Sequence, residues 1–415
     1  MPVRPYVRSC VEVARPRYAK LNEGYPGGPG LSSTHRGRAV KKHGDAYVGI
    51  DTAKARNAVA IAEGDRKGVL RYLGEFDNTP DAVTKLVRKL AERYETVHFC
   101  YEAGPTGYGL YRQLTELGQS CIVVAPSLIP RRASDRVKTN RRDAQTLARL
   151  LRAGELTAVW VPDEIHEAVR DLVRTRAMAI EDYRRKRQHV TSFLLRHGRI
   201  YEATASWRGR HIRWLDTQNF EHPAQRLAYQ EMLNAVRSTA ERIDRLEAAM
   251  VEIVPAWTMA PVVAAFQAMR GVGFLTATTL VAEAGDIRRF DHPRQLMSFL
   301  GLVPSERSTG ETRRQGGITK TGNTRARKAL IEAAWTYRHS AGIGDGHQRR
   351  QAHLPEQVRE IAWKAQARLC SRYRRLLAKG KKTTVATTAI ARELAAFLWA
   401  IARHVEPSPV KPARV

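Results

Sequence analysis

Residues 46–64 read AYVGIDTAKARNAVAIAEG, and this stretch decides the fold. AYVGID (46–51) is a short β-type run, TAKAR (52–56) is turn-like, and NAVAIAEG (57–64) returns, so the stretch predicts a hairpin. VLRYLGEF (69–76) extends it as a third strand. TPDAVTKLVRKLAERY (79–94) then predicts a helix: Thr79 can cap it, Pro80 suits its first turn, and Val83, Leu86, Val87 and Leu90 share a face. VHFCYEAG (97–104) is the next strand, TGYGLYRQLTELG (106–118) a helix and SCIVVAP (120–126) a buried strand. A basic connection, SLIPRRASDRVKT (127–139), leads to the helix NRRDAQTLARLLRAG (140–154). The order β-β-β-α-β-α-β-α describes an α/β domain over 46–160, with a mixed sheet that begins as a meander.

Charge narrows the function. The chain has 415 residues, with 70 Lys+Arg against 41 Asp+Glu, a formal charge of +29. An excess of this size implies a polyanionic partner, either nucleic acid or an anionic membrane surface. At 43% hydrophobic and 27% charged the composition is that of a globular protein, which excludes wholesale disorder. No apolar stretch approaches the roughly 18–20 residues of a membrane span, and no secretory signal is expected. The four cysteines (Cys10, Cys100, Cys121, Cys370) lack CxxC spacing, which excludes a zinc finger and fits a reducing cytoplasm.

Residues 1–45 read as a flexible basic tail. Over 161–258 lie two long charged helical stretches, 164–198 and 222–256. The second carries a heptad pattern, Met232, Val236, Thr239, Ile243, Leu246, Met250 and Ile253, which predicts a coiled-coil hairpin or dimerising arm. The segment between them, with Trp207 and Trp214 among arginines, has no assignable structure from sequence. Residues 259–345 predict a compact, mostly α-helical domain with two Gly-rich loops, and 346–415 closing helices with a basic tail.

Asp51 ends the first strand, Glu102 ends the fourth, and Asp143 lies in the first turn of a helix. A pair of Mg²⁺ ions can gather such carboxylates while gripping the oxygens of a phosphoryl transfer. The strand order matches the RNase H-like arrangement, in which such acids converge within a few ångströms. Each residue also has a plainer reading: Asp51 can start a turn, and Asn140-x-x-Asp143 has the form of a capping box. Around Asp143 stand Arg131, Arg132, Arg136, Lys138, Arg141, Arg142, Arg149 and Arg152, suited to guiding a phosphate backbone or simply forming a solvated face. Gly271-Val-Gly273 either presents backbone N–H groups to phosphate or turns a helix corner. In GLVPSERSTGETRRQGGITKTGN (301–323), Ser305, Ser308 and Thr309 precede Gly310, with Arg313, Arg314 and Lys320 beyond. A hydroxyl there can attack a phosphodiester while the cations stabilise the developing charge, or the loop only contacts phosphate.

VGIDTAK, YEAGPTGYGLYRQL, VKTNRRDAQTLARLL, MRGVGFLTATTLVAEAGD, FLGLVPSERSTG and GGITKTGNTRARKAL, in this order over about 46–405, resemble the transposases of insertion-sequence family one-ten. The resemblance implies a RuvC-like DEDD domain joined by a coiled coil to a helical domain that supplies a serine nucleophile. It further implies Mg²⁺, double-stranded DNA as element ends and target, homodimers assembling to tetramers, a bridge RNA that pairs with both DNAs, and a cytoplasmic, nucleoid-associated enzyme with no membrane partner. Carried over, the metal residues are Asp51, Glu102 and Asp143. Asn140 stands where the family has a fourth acid, and Thr309 where it has serine before glycine, with Ser308 adjacent. Two rival readings remain: a non-catalytic nucleic-acid-binding protein on a degenerate RNase H-like fold, and an actin-like ATP-dependent kinase, to which VGIDTAKARNAVAI is superficially similar but without the expected glycine after the Asp.

Overall fold

The computed structural model describes residues 43–64, 68–130, 139–203 and 207–409. Most of the basic tail, together with Arg131, Arg132, Arg136 and Lys138, lies outside them. The chain divides into two compact units between Ala158 and Val159.

In the first unit, β1 (Ala46–Asp51), β2 (Arg56–Glu63), β3 (Leu70–Asp77), β4 (Val97–Glu102) and β5 (Ser120–Val124) form one sheet in the order β3-β2-β1-β4-β5. The meander pairs are antiparallel, whereas β4 runs parallel to both β1 and β5. The apolar runs explain this order: Val48, Ile50, Ile61, Phe99 and Tyr101 are all buried, as expected for central strands covered on both faces. Three helices follow their strands, α1 (Pro80–Ala91), α2 (Gly109–Glu116) and α3 (Asn140–Arg152). The α1 cap is as expected, Thr79 accepting from the Ala82 N–H, and Val83, Leu86, Val87 and Leu90 are buried. The capping box at α3 is not. Thr139 is the cap, accepting from the Arg142 N–H at 3.3 Å, so Asn140 is the first helical residue and has no capping duty.

The second unit begins with α4 (Glu164–Arg196), α5 (Gly209–Thr217) and α6 (Pro223–Ile253). The two long helices pack along each other, tied by Arg176 on Glu247 at 2.8 Å and Lys186 on Thr239 at 2.7 Å. Of the heptad positions, Val236, Thr239 and Met250 are buried, while Ile253 is exposed. The unassigned segment becomes α5, which closes one end of the pair: Leu215 and Phe220 pack with Phe193, Leu194, Tyr229 and Leu233.

The remainder comprises α7 (Ala260–Phe266), α8 (Phe274–Ala284), α9 (Pro293–Phe299), β6 (Pro304–Thr309), β7 (Thr312–Ile318), α10 (Thr324–Ala334), α11 (Asp345–Gln351), α12 (Glu356–Ala378) and α13 (Thr383–Ala402). Two sequence expectations change here. The second Gly-rich loop is an antiparallel β-ribbon, β6 with β7. And α13, interrupted only by Arg392 and Glu393, is long and apolar enough to span a membrane by length and composition. It is a core helix: Ile390, Leu394, Ala395 and Ile401 are fully buried against neighbours that include Phe266 and Tyr337.

One buried carboxylate ties this core together. Glu283 in α8 has a side chain only 1% exposed, gripped by Arg174 of α4 at 2.9 and 3.0 Å and by the Asn323 amide at 2.8 Å. Burial pulls its carboxyl upward, but the hydrogen bonds from Arg174 and Asn323 outweigh it and hold the group below its usual range. A lowered folded-state value contributes stability at neutral pH that is lost as pH falls through it. Arg174→Ala is expected to cost roughly 3 kcal/mol in denaturant unfolding, the low end for breaking a buried pair because the arginine is part-exposed. Unchanged unfolding would show that the pair contributes nothing.

Candidate functional site

Two places gather the chemistry, one in each unit. In the first unit, β1 and β4 run parallel with Ile50 beside Tyr101, so the register sets Asp51 beside Glu102 at the C-terminal ends of both strands. The third acid arrives through a glycine. A Cβ on Gly49 would lie 2.3 Å from the Ala144 carbonyl oxygen and 2.4 Å from the Ala148 nitrogen, so α3 lies directly on β1 because position 49 has no side chain. At its far end Arg152 donates to the carbonyls of Glu63, at 3.1 Å, and Gly68, at 2.8 Å. Glu63 pairs with Ala46, where β1 starts. The helix therefore runs antiparallel to β1, and its first turn, carrying Asn140 and Asp143, sits at the Asp51 end. A Thr52–Thr106 hydroxyl contact of 3.1 Å joins the segments that follow β1 and β4.

Asp51, Glu102 and Asp143 are half-buried and Asn140 is exposed. Their convergence is one of level rather than contact: among the described residues, no three His, Cys, Asp or Glu side chains gather closely enough to hold a metal ion. The donors nevertheless suit a hard divalent cation in kind, since all three carboxylates and the Asn140 amide offer oxygen. Arg141 lies over the Tyr72 ring at 5.3 Å, and Arg142 is exposed beside the same turn.

In the second unit the ribbon carries Ser308 and Thr309 at the end of β6, before a turn at Gly310, whose φ of 57° favours glycine. Ser308 pairs in register with Arg313, Thr309 with Thr312 and Arg307 with Arg314. The ribbon is exposed, but its root is fixed. Gly301 and Gly322 admit backbone where a Cβ would meet Thr321 or Phe299 at about 2 Å, 2.1 and 1.9 Å respectively. Buried Arg327 donates to the Leu300 and Thr321 carbonyls at 2.9 and 2.8 Å. Lys320 lies in this root with a left-handed φ of 58°. Gly271 belongs to a packed corner, since a Cβ there would meet the Ala333 carbonyl at 2.4 Å, whereas Gly273 is exposed at the N-cap of α8.

Sequence reasoning missed Glu306. Its carboxylate accepts from the Ser308 hydroxyl at 2.9 Å, from Arg313 at 3.1 Å on both oxygens, and from Gln315 at 3.3 Å. Hydrogen bonds from Arg313 first, then Ser308 and Gln315, hold its carboxyl below the ordinary range. The signal was present as Glu-Arg-Ser, an i,i+2 pair that faces one way only once the segment is a strand.

Comparison with known proteins finds relatives along most of the chain. A DEDD transposase family model of the IS110 group matches residues 48–198, and the model described as "Transposase IS116/IS110/IS902 family" matches residues 263–351. The chain is 55% identical over 393 residues to the putative transposase y4qE of Sinorhizobium fredii, covering 95% of this chain and 97% of that one. It is 32% identical over 341 residues to the transposase for insertion sequence element IS1533 of Leptospira borgpetersenii, covering 81% and 98% respectively. A DEDD domain of this kind depends in general on a divalent cation. Similar to such relatives along nearly its whole length, and matched by family models in both units, the chain belongs to the IS116/IS110/IS902 family of transposases, enzymes that cut and rejoin DNA.

Proposed function

We propose that the first unit is an RNase H-like, RuvC-like catalytic domain in which Asp51, Glu102, Asp143 and the Asn140 amide hold two Mg²⁺ ions, and that a ribbon hydroxyl, Ser308 or Thr309, attacks DNA. The observation that carries the first half is the Gly49 packing, which brings the first turn of α3 to the strand ends bearing Asp51 and Glu102. Bound there, the metal would neutralise charge on the phosphate and polarise its oxygens. The chain's part is to hold those carboxylates at one level and to supply the hydroxyl. Arg141, Arg142, Arg313, Arg314 and Lys320 offer cations to the DNA backbone, and on sequence grounds Arg136 and Lys138 join them. A covalent protein–DNA linkage conserves phosphodiester energy, so no ATP is required.

The α4–α6 pair fits a coiled-coil arm for homodimers that assemble into tetramers, with target choice delegated to a bridge RNA. The net charge of +29 suits both nucleic acids in a cytoplasmic, nucleoid-associated enzyme. A second reading, a nucleic-acid-binding protein on a degenerate catalytic fold, is favoured by the neutral Asn140 and by the ungathered carboxylates. It predicts that Glu102→Gln changes no activity.

Incubation with duplexes carrying the ends of its insertion sequence is expected to give covalent protein–DNA adducts. Either Ser308→Ala or Thr309→Ala should eliminate them. Adducts that survive both substitutions would place the nucleophile outside the ribbon.

A further inference from the structure

We propose that Ser308, rather than Thr309, is the attacking hydroxyl, and that Glu306 is the group that accepts its proton. The inference rests on the reading of the ribbon as the source of the nucleophile, and deepens it. Successive strand residues point to opposite faces. Glu306 and Ser308, two apart on β6, therefore share a face with their register partners Gln315 and Arg313. Thr309 lies on the other face, opposite Thr312 and next to the Arg307–Arg314 pair, away from Glu306.

The shared face is already assembled for proton transfer. The Ser308 hydroxyl donates to Glu306 Oε1 at 2.9 Å, within the reach a general base needs. Arg313 fixes that carboxylate through Nε on Oε1 and Nη2 on Oε2, both at 3.1 Å, and Gln315 adds a 3.3 Å bond to Oε2. Glu306 is thus an ionised acceptor at neutral pH, and it takes the proton only as the new bond forms and the serine oxygen becomes acidic.

The step balances. The Ser308 Oγ–P bond forms as the bond from phosphorus to one deoxyribose oxygen breaks. The serine proton passes to Glu306 Oε1, and the leaving deoxyribose oxygen takes a proton from water. As Glu306 becomes neutral, Arg313 loses its counter-charge and is released to pair with the phosphate oxygens, a charge shift well timed to the transition state. Rejoining reverses these transfers when a deoxyribose hydroxyl attacks the phosphoserine. No oxidant, reductant or nucleotide cofactor enters.

The test uses the full-length protein and duplex DNA of the element ends carrying a bridging sulfur at the scissile linkage, which leaves readily and traps the adduct. Peptide mass spectrometry is expected to find the DNA remnant on Ser308. On an all-oxygen duplex, Glu306→Gln should slow adduct formation by about 100-fold, within the range for losing a general base, with unchanged non-covalent DNA binding. Its deficit should shrink as pH rises, because hydroxide replaces the missing base, and Glu306→Asp should recover part of the rate. A merely structural role would not tie the deficit to pH. A remnant on Thr309, or Glu306→Gln working at the wild-type rate, overturns this inference and leaves the ribbon reading standing. An adduct on neither residue in the wild type overturns the ribbon reading and this inference with it.

Discussion

Asp51→Ala and Asp143→Ala proteins should each bind element-end DNA as tightly as the wild type and cleave it at least roughly 1,000-fold more slowly. The scale is that of removing a group that acts in the transition state, where single losses are steep and non-additive. Binding should survive because neither residue contributes a cation to the phosphate backbone, and removing a negative charge beside that backbone lessens repulsion rather than adding to it. The double variant should be no worse than either single one, since both acids are assigned to one metal site. Gel-shift titrations and strand-cleavage rates on the same preparations separate the two effects. Variants that cleave normally would remove Asp51 and Asp143 from the chemistry.

Gly49→Val should be the most destabilising single change in the first unit. Its Cβ would overlap two backbone atoms, Ala144 O at 2.3 Å and Ala148 N at 2.4 Å, and backbone cannot rotate aside as a side chain can. Relief requires lifting α3 from β1, which exposes the buried Ala144, Leu147 and Ala148. We expect a cost of about 3 kcal/mol or more, at the upper end for overpacking, and a melting transition lower by roughly 10 °C. Cleavage should fall as well, because the first turn of α3 loses its level with Asp51. Gly109→Ala is the control: nothing lies within 4 Å of a Cβ there. Calorimetry showing Gly49→Val and wild type melting together would contradict the packing of α3 on β1.

The first unit was largely legible because its strands are short apolar runs bounded by turn residues, and because Thr79-Pro80 marks the start of α1 as plainly as sequence can. Its decisive residue, Gly49, stood in the open within VGID, yet nothing local says that a helix nearly a hundred residues later will lie against it. The α3 cap was misplaced by one residue because Thr139 and Asn140 can both cap, and spacing alone does not choose between them. The ribbon looked like a loop for a different reason. Residues 305–317 are exposed on both faces, so no apolar alternation announces the strands. The Trp207–Trp214 segment escaped because cations on aromatic faces, such as Arg187 over Trp207 at 4.6 Å and Arg199 over Phe220 at 4.2 Å, have no sequence period.

The most direct test of the metal site is anomalous diffraction from crystals of the full-length protein soaked in Mn²⁺ at a concentration that supports cleavage. One or two manganese peaks bonded to carboxylate oxygens of Asp51, Glu102 and Asp143, at the C-terminal ends of β1 and β4, is the predicted result. Manganese bound elsewhere, with those three carboxylates bare, would contradict it.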